Sequence, residues 1–221
     1  MRTYRVHFIR HGLTKGNLEG RYIGSTDLPL CQQGVEQLED LIALKEYPSV
    51  DKVYTSPLVR CRQTADILFP DRAVEVVDNL REYDFGEFEN RTVEELEKDP
   101  RFCQWAAASM QASAPGGESG MDLLKRSVQA MAYIFGQMME NNIYSAAVVT
   151  HGGLIMTLLA NMGLPQREMI YWNAQPGCGY TALLTAQMWM RDQKFEVYGT
   201  IPVGGDNYDV DFSYEMPQEE Q

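Results

Sequence analysis

Short apolar runs alternate along the chain with longer stretches in which apolar residues recur every three or four positions. Arg5 to Ile9, Val50 to Thr55 and Ala146 to Thr150 read as buried strands, each ending abruptly in polar residues and glycine or proline. Ala73 to Val77 reads as a shorter strand, and Tyr180 to Ala186 and Lys194 to Ile201 as two late ones. Between them lie helical stripes. Val35, Leu38, Leu41 and Ile42 share one face, with Glu36, Gln37, Glu39 and Asp40 off it. Ser56-Pro57 looks like an N-cap followed by proline at the first helical position, opening a helix to about Phe69. A loop rich in charge and glycine spans Asp78 to Arg91, and Thr92 to Glu95 matches a capping box. Pro115-Gly116-Gly117 breaks the chain before a long helix from about Met121 to Glu140; a second apolar helix spans Leu154 to Met162. The pattern predicts an α/β fold, a three-layer α/β/α sandwich with a mostly parallel central sheet and a small helical cap. Residues 1–205 form one domain in this reading, with the cap inserted at about 83–120.

Charge changes the picture in one region. The chain of 221 residues carries 19 basic and 31 acidic side chains, a net charge of −12. Beyond Gly205 there are Asp206, Asp209, Asp211, Glu215, Glu219 and Glu220 and no base. Residues 206–221 are therefore expected to be a loosely held acidic tail. Such a chain repels nucleic acid and anionic membrane surfaces, so neither is an expected partner. No run approaches the roughly 20 apolar residues of a membrane span, and the start lacks the apolar region of a signal peptide. The cysteines, Cys31, Cys61, Cys103 and Cys178, are scattered, as are the three histidines. No zinc-ligand spacing arises, so no metal is expected, and reduced thiols in a cytoplasmic protein are the plain expectation.

Candidate chemistry sits where the strands end. Arg10-His11-Gly12 leaves the first, Ser56 to Arg60 the second and His151-Gly152-Gly153 the third. In open α/β sheets ligands bind beyond the carboxyl ends of strands. Arg10 and Arg60 offer forked donors to an oxyanion, and Gly152 opens a helix whose free N–H groups suit phosphate. Asn17 is a further donor. Ser25 and Thr26 read equally well as substrate contacts or as turn residues. His7 reads as a strand residue without a role in chemistry. Two imidazoles, two guanidiniums and a helix start describe a site for one small, doubly charged oxyanion.

Taken in order, R-H-G-x-T-x-x-N (Arg10 to Asn17), S-P-L-x-R-x-x-Q-T-A (Ser56 to Ala65), L-R-E-x-x-F-G-x-F-E (Leu80 to Glu89) and V-V-T-H-G-G (Val148 to Gly153) resemble the histidine phosphatase superfamily, also called phosphoglycerate mutase-like. The likeness is greatest to the cofactor-independent small-molecule phosphatase branch, which includes α-ribazole phosphatases. It implies that His11 is a nucleophile forming phosphohistidine. Arg10, Arg60, His151 and Asn17 would line the phosphate pocket, and Glu82 would donate the proton, with Asp84, Glu87 and Glu89 as its rivals in the same loop. No cofactor is implied. Pro115 to Ser119 resembles the P-G-G-E-S segment of these phosphatases. Phe88 and Asn90 depart from the Trp and Gly often found there, which bears on the substrate rather than on the reaction.

Neutral imidazole is accessible near neutrality and can attack phosphorus in line. The guanidiniums and His151 would spread over the equatorial oxygens. Glu82 beside a dianion can hold the proton that the leaving alkoxide needs. The expected activity is hydrolysis of small phosphorylated metabolites. Phosphoglycerate mutase-type transfer calls for more bases in the cap, where Tyr83 to Leu124 offers Arg91, Lys98 and Arg101 alone. A non-catalytic phosphate-binding module and a protein-phosphohistidine phosphatase also compete with the expected activity. The apolar stretch Asp99 to Pro115 reads as a cap helix that lines a leaving-group pocket or packs the core. The sequence does not specify the oligomeric state.

Overall fold

The computed structural model describes residues 2–44, 47–108 and 110–203. The acidic tail expected at 206–221 lies outside them. The described strands are β1 (Thr3–Arg10), β2 (Lys52–Thr55), β3 (Val74–Val76), β4 (Ser145–Thr150), β5 (Gly163–Leu164), β6 (Gly179–Thr185) and β7 (Phe195–Ile201). They form one sheet in the order β3-β2-β4-β1-β6-β7-β5. β1, β2, β3 and β4 pair in parallel, as do β5 and β7, while β6 runs antiparallel to both β1 and β7. The sheet is thus mixed and mostly parallel, as the alternation of strands and helices predicts.

The described helices are α1 (Lys15–Leu18), α2 (Gln32–Leu44), α3 (Val59–Leu68), α4 (Val93–Leu96), α5 (Pro100–Ala107), α6 (Gly120–Glu140), α7 (Gly152–Met162) and α8 (Ala186–Asp192). Two hydrophobic clusters occupy the two faces of the sheet. Val6, Phe8, Ala146 and Val148 join one with residues of α6 and α7. Ile9, Ala147 and Val149 join the other with Leu38 of α2 and Cys61 and Ala65 of α3. Adjacent strand residues point to opposite faces, so central strands covered on both sides read as unbroken apolar runs.

Three local expectations are corrected. α3 begins at Val59 rather than at Pro57, and its N-cap residue, Leu58, makes no side-chain cap. Asp27 Oδ1 accepts the Val59 N–H at 2.7 Å instead, from a distant loop. The capping box at Thr92 and Glu95 is present, but it starts a single turn. Between the two late strands lies α8, capped by the Thr185 hydroxyl; a seven-residue helix leaves too little periodicity to be read. No described helix is long and apolar enough to cross a membrane. Trp172 and Trp189 are buried packing residues, whereas Tyr171 is exposed.

Candidate active site

β1 and β4 are adjacent and parallel, with Arg10 level with Thr150. The next residues, His11 and His151, therefore leave the sheet side by side, and their ring centroids are 5.2 Å apart. β2 flanks β4 on its other side, Thr55 level with Val149, which brings Ser56 into the same row. Arg60 enters from the first turn of α3. Topology alone thus collects residues that lie far apart along the chain.

His11 is buried, and its Nδ1 lies 2.7 Å from the Gly12 carbonyl oxygen. A carbonyl can only accept, so Nδ1 carries the proton and Nε2 holds the lone pair. Arg60 Nε donates to that lone pair at 3.2 Å. Burial first, then the Arg60 and Arg10 charges, hold the His11 pKa well below the ordinary value of 6.5. Gly12 is fixed in turn, because its N–H donates to Thr64 Oγ1 at 2.9 Å.

Arg60 is fully buried, and its remaining contacts are backbone: Nη1 donates to Thr26 O and Nη2 to Gly24 O, both at 2.8 Å. Arg10 Nη1 donates to Ala174 O at 2.8 Å, while its Nε is buried without a partner. The Arg10 side chain lies across the start of α7, where a Cβ on Gly152 would come within 3.3 Å of Nε. Glycine there leaves the guanidinium room to approach the helix end. A buried N–H without an acceptor, beside a helix N-terminus, is a seat for an anion.

His151 heads α7 but does not cap it. Its Nε2 lies 2.7 Å from Ser56 Oγ and 3.4 Å from Cys61 Sγ. Ser56 Oγ also accepts the Leu58 N–H at 3.3 Å, so it serves the turn ahead of α3 as well as the histidine. Burial, then Arg60, lowers the His151 pKa well below 6.5, and burial pushes the Cys61 thiol up. None of the four cysteines is in a disulfide.

Glu82 is 8% exposed, and each of its carboxylate oxygens has one backbone donor, Tyr83 N to Oε1 and Gly153 N to Oε2, both at 2.9 Å. It thus sits at the first turn of α7, next to the Arg10–Gly152 contact. Its rivals in the loop point elsewhere. Glu87 pairs with Arg101, Asp84 accepts from Gly86 N, and Glu89 accepts from the backbone of Gly24, Ser25 and Thr26.

Asn17 bonds Thr14 rather than any of these groups. Its Oδ1 accepts from Thr14 N and Oγ1, completing a capping box on α1, which leaves the amide nitrogen as the end able to donate. Ser25 and Thr26 are turn residues held by Glu89, and Thr26 touches Arg60 through its carbonyl. His7 sits within β1, between Thr181 Oγ1 and Ser145 Oγ, away from this strand end. Phe88 is fully buried, in edge contact with Phe102 at 5.4 Å, so its ring is core rather than substrate surface. Asn90 adopts φ of 59°, a conformation for which asparagine is the best substitute for glycine. In the cap, Phe102 packs inward, while Trp105 is half-buried and donates through Nε1 to the Tyr83 hydroxyl at 3.1 Å.

Several residues on which this geometry depends escape sequence reasoning. Ser56 lies within a motif but reads there as a cap. Glu89 figures only as a rival to Glu82. Glu118 figures only within the P-G-G-E-S segment, and its largely buried partner beneath the Glu82 loop, Arg126, does not stand out at all. The one signal of Arg126 is an ionisable residue on the buried face of a long amphipathic helix.

Known proteins share the fold and the sequence pattern of this chain. The family model of the histidine phosphatase superfamily (branch 1) matches residues 6–191. The chain is 31% identical over 179 residues to the adenosylcobalamin/alpha-ribazole phosphatase of Escherichia coli K12, covering 79% of this chain and 87% of that protein. The crystal structure of the alpha-ribazole phosphatase from Shigella flexneri superposes with a TM-score of 0.70 at 25% identity, over 87% of this chain and 94% of that one. The phosphoglycerate mutase from Thermus thermophilus superposes with a TM-score of 0.61 at 29% identity, over 82% of this chain and 93% of that one. Its strand-end histidines and arginines, its mixed sheet and these likenesses together make this chain a member of the histidine phosphatase superfamily.

Proposed function

We propose that the protein hydrolyses small phosphomonoesters through a phosphohistidine on His11 Nε2. One observation carries this reading: Nδ1 of His11 is tied to the Gly12 carbonyl, so the lone pair of Nε2 faces the Arg60 guanidinium, 3.2 Å from its Nε. A phosphoryl group placed between the arginines meets a neutral, oriented nucleophile. Burial of His11 supports its neutral state below ordinary imidazole pH values.

In the first step Nε2 attacks phosphorus, the P–O ester bond breaks, and Glu82 gives its proton to the leaving oxygen. In the second, water attacks the phosphohistidine, Glu82 takes the water proton, and the P–N electron pair returns to Nε2. Arg10, Arg60 and His151 stabilise charge on the transferred group in both steps. The α7 N-terminus adds partial positive charge. Removing a proton donor of this kind is worth roughly 10²–10⁴ in rate on esters with poor leaving groups.

The likeness to a phosphoglycerate mutase favours a second reading, phosphoryl transfer with retention. Cap chemistry supports hydrolysis: Arg91 lies 3.5 Å from Asp99, and Arg101 pairs with Asp99 and Glu87, so these arginines are already matched by acids. The substrate class proposed is a small phosphorylated metabolite. α-Ribazole phosphate enters a test panel because relatives are named for it.

The test is a rapid quench with ³²P-labelled ester. Label is expected on His11 in a base-stable, acid-labile bond, then released as phosphate, and His11→Ala should show neither. Undiminished turnover by His11→Ala would overturn the mechanism. Transfer of the label to glycerate instead of water would favour the mutase.

A further inference from the structure

Between the short helical turn Asp78–Leu80 and the turn Gly86–Phe88, the chain carrying Glu82 belongs to no helix or strand. Its backbone groups have no ladder to hold them. One side chain holds three of its carbonyls, beside the Thr150 hydroxyl on that of Leu80. Arg126, on the buried face of α6, donates through Nη1 to the carbonyls of Asn79 and Arg81 and through Nη2 to that of Glu82. Its remaining two N–H groups go to Glu118, Nε to Oε2 at 3.0 Å and Nη2 to Oε1. All five guanidinium donors are thereby used. Glu118 Oε1 also accepts the Asp84 N–H at 3.0 Å. The pair therefore fixes backbone groups at 79, 81, 82 and 84, on both sides of the candidate proton donor.

We propose that the Arg126–Glu118 pair is a positioning device for Glu82, setting where its carboxyl stands relative to the leaving group without touching substrate. The inference rests on the reading of Glu82 as proton donor. A buried ion pair is a weak source of net stability, because desolvation offsets its attraction. Here three of the five guanidinium donors go to the carbonyls of residues 79, 81 and 82, and that stretch holds one candidate catalytic group. The other end of the same carboxylate is fixed by Gly153 N and Tyr83 N. Loosening the backbone would swing the carboxyl away from the oxygen that needs a proton, and small displacements of a positioned group are costly.

The experiment separates proton donation from folding and from phosphate binding. Arg126→Lys and Glu118→Gln are compared with wild type by kcat/KM on p-nitrophenyl phosphate and on a simple alkyl phosphate. The nitrophenolate departs without help, whereas the alkoxide needs the acid. If the pair positions Glu82, both variants lose roughly 10–100-fold on the alkyl ester, part of the full effect of a general acid, and less than about threefold on the aryl ester. Glu82→Gln in parallel tests the underlying reading. An equal loss on both esters in Arg126→Lys and Glu118→Gln, with a selective loss in Glu82→Gln, overturns the positioning role alone. A non-selective Glu82→Gln overturns the proton-donor reading itself. Lysine keeps the charge but cannot reach all the carbonyls; should that variant fail to fold, Glu118→Gln, which keeps an acceptor oxygen, reads the same split.

Discussion

Glu89 is the carboxylate on which the Arg60 clamp depends. It accepts from six donors: the N–H groups of Gly24, Ser25, Thr26 and Phe85 and the hydroxyls of Thr26 and Ser25. The loop so gathered presents the Gly24 and Thr26 carbonyls that hold both Nη atoms of Arg60. Consider Glu89→Gln. An amide has one acceptor oxygen and one NH₂, and either orientation turns the NH₂ toward N–H donors. At Oε2 this is Thr26; at Oε1, Ser25 and Phe85; Gly24 N lies 3.1 Å from both oxygens and keeps the one that remains. One or two charge-assisted bonds to backbone are lost, according to the orientation, at about 1.5 kcal/mol apiece, taking the low end because the residue is half-buried. A loss of about 1.5–3 kcal/mol corresponds to roughly 3–12 °C in Tm for a domain of this size. A loosened Arg60 should also weaken inorganic phosphate binding by about tenfold, or about 1.4 kcal/mol. The assays are thermal unfolding and calorimetric phosphate titration at neutral pH. Glu87→Gln is the control, since Glu87 forms an exposed pair with Arg101, and such pairs contribute about 0–1 kcal/mol. If Glu89→Gln matches Glu87→Gln in both measurements, the chain of support from Glu89 to Arg60 does not exist.

A Cβ at Gly153 would lie 2.7 Å from Glu82 Oε1; Gly153→Ala should therefore cut kcat/KM about tenfold or more on alkyl phosphates and little on p-nitrophenyl phosphate, and equal loss on both would remove Glu82 from the proton-transfer step. Because burial and two arginines depress the His11 pKa, ¹⁵N spectra of ligand-free protein should show a single Nδ1–H tautomer at pH 6, and a doubly protonated ring there would contradict the geometry. His7 is buried and its pKa is lowered to about 4, so its neutral form is favoured by folding; the contribution is complete above about 6.5 and is lost as pH falls toward 4, by about 3 kcal/mol. Denaturant unfolding of His7→Gln should show a flatter acid dependence than wild type over that window, and parallel curves would refute the assignment.

What is legible in the sequence follows from the range of the forces that shape each feature. β1, β2 and β4 are covered on both faces, so their burial appears as contiguous apolar residues and needs no partner to be seen. His11, Arg60 and His151 can be found because each follows or lies close behind such a strand, and a parallel sheet places strand ends in one row. The supports of the site obey a different rule. Glu89 binds the N–H groups of residues 24–26, and Arg126 binds the carbonyls of residues 79, 81 and 82. Their partners are main-chain atoms, which every residue possesses, so the partner's side chain carries no mark of the contact. Asp27 at the start of α3 is the same case: the helix cap is real, but it is supplied from 32 residues upstream rather than by the local Ser56. Ser56 Oγ meets His151 Nε2 and the Leu58 N–H instead. A side chain that bonds a side chain can be suspected from complementary chemistry in the sequence. One that bonds distant backbone can be inferred only once the sheet has brought the two segments together, and in this protein contacts of that second kind hold Arg60 and Glu82 in place.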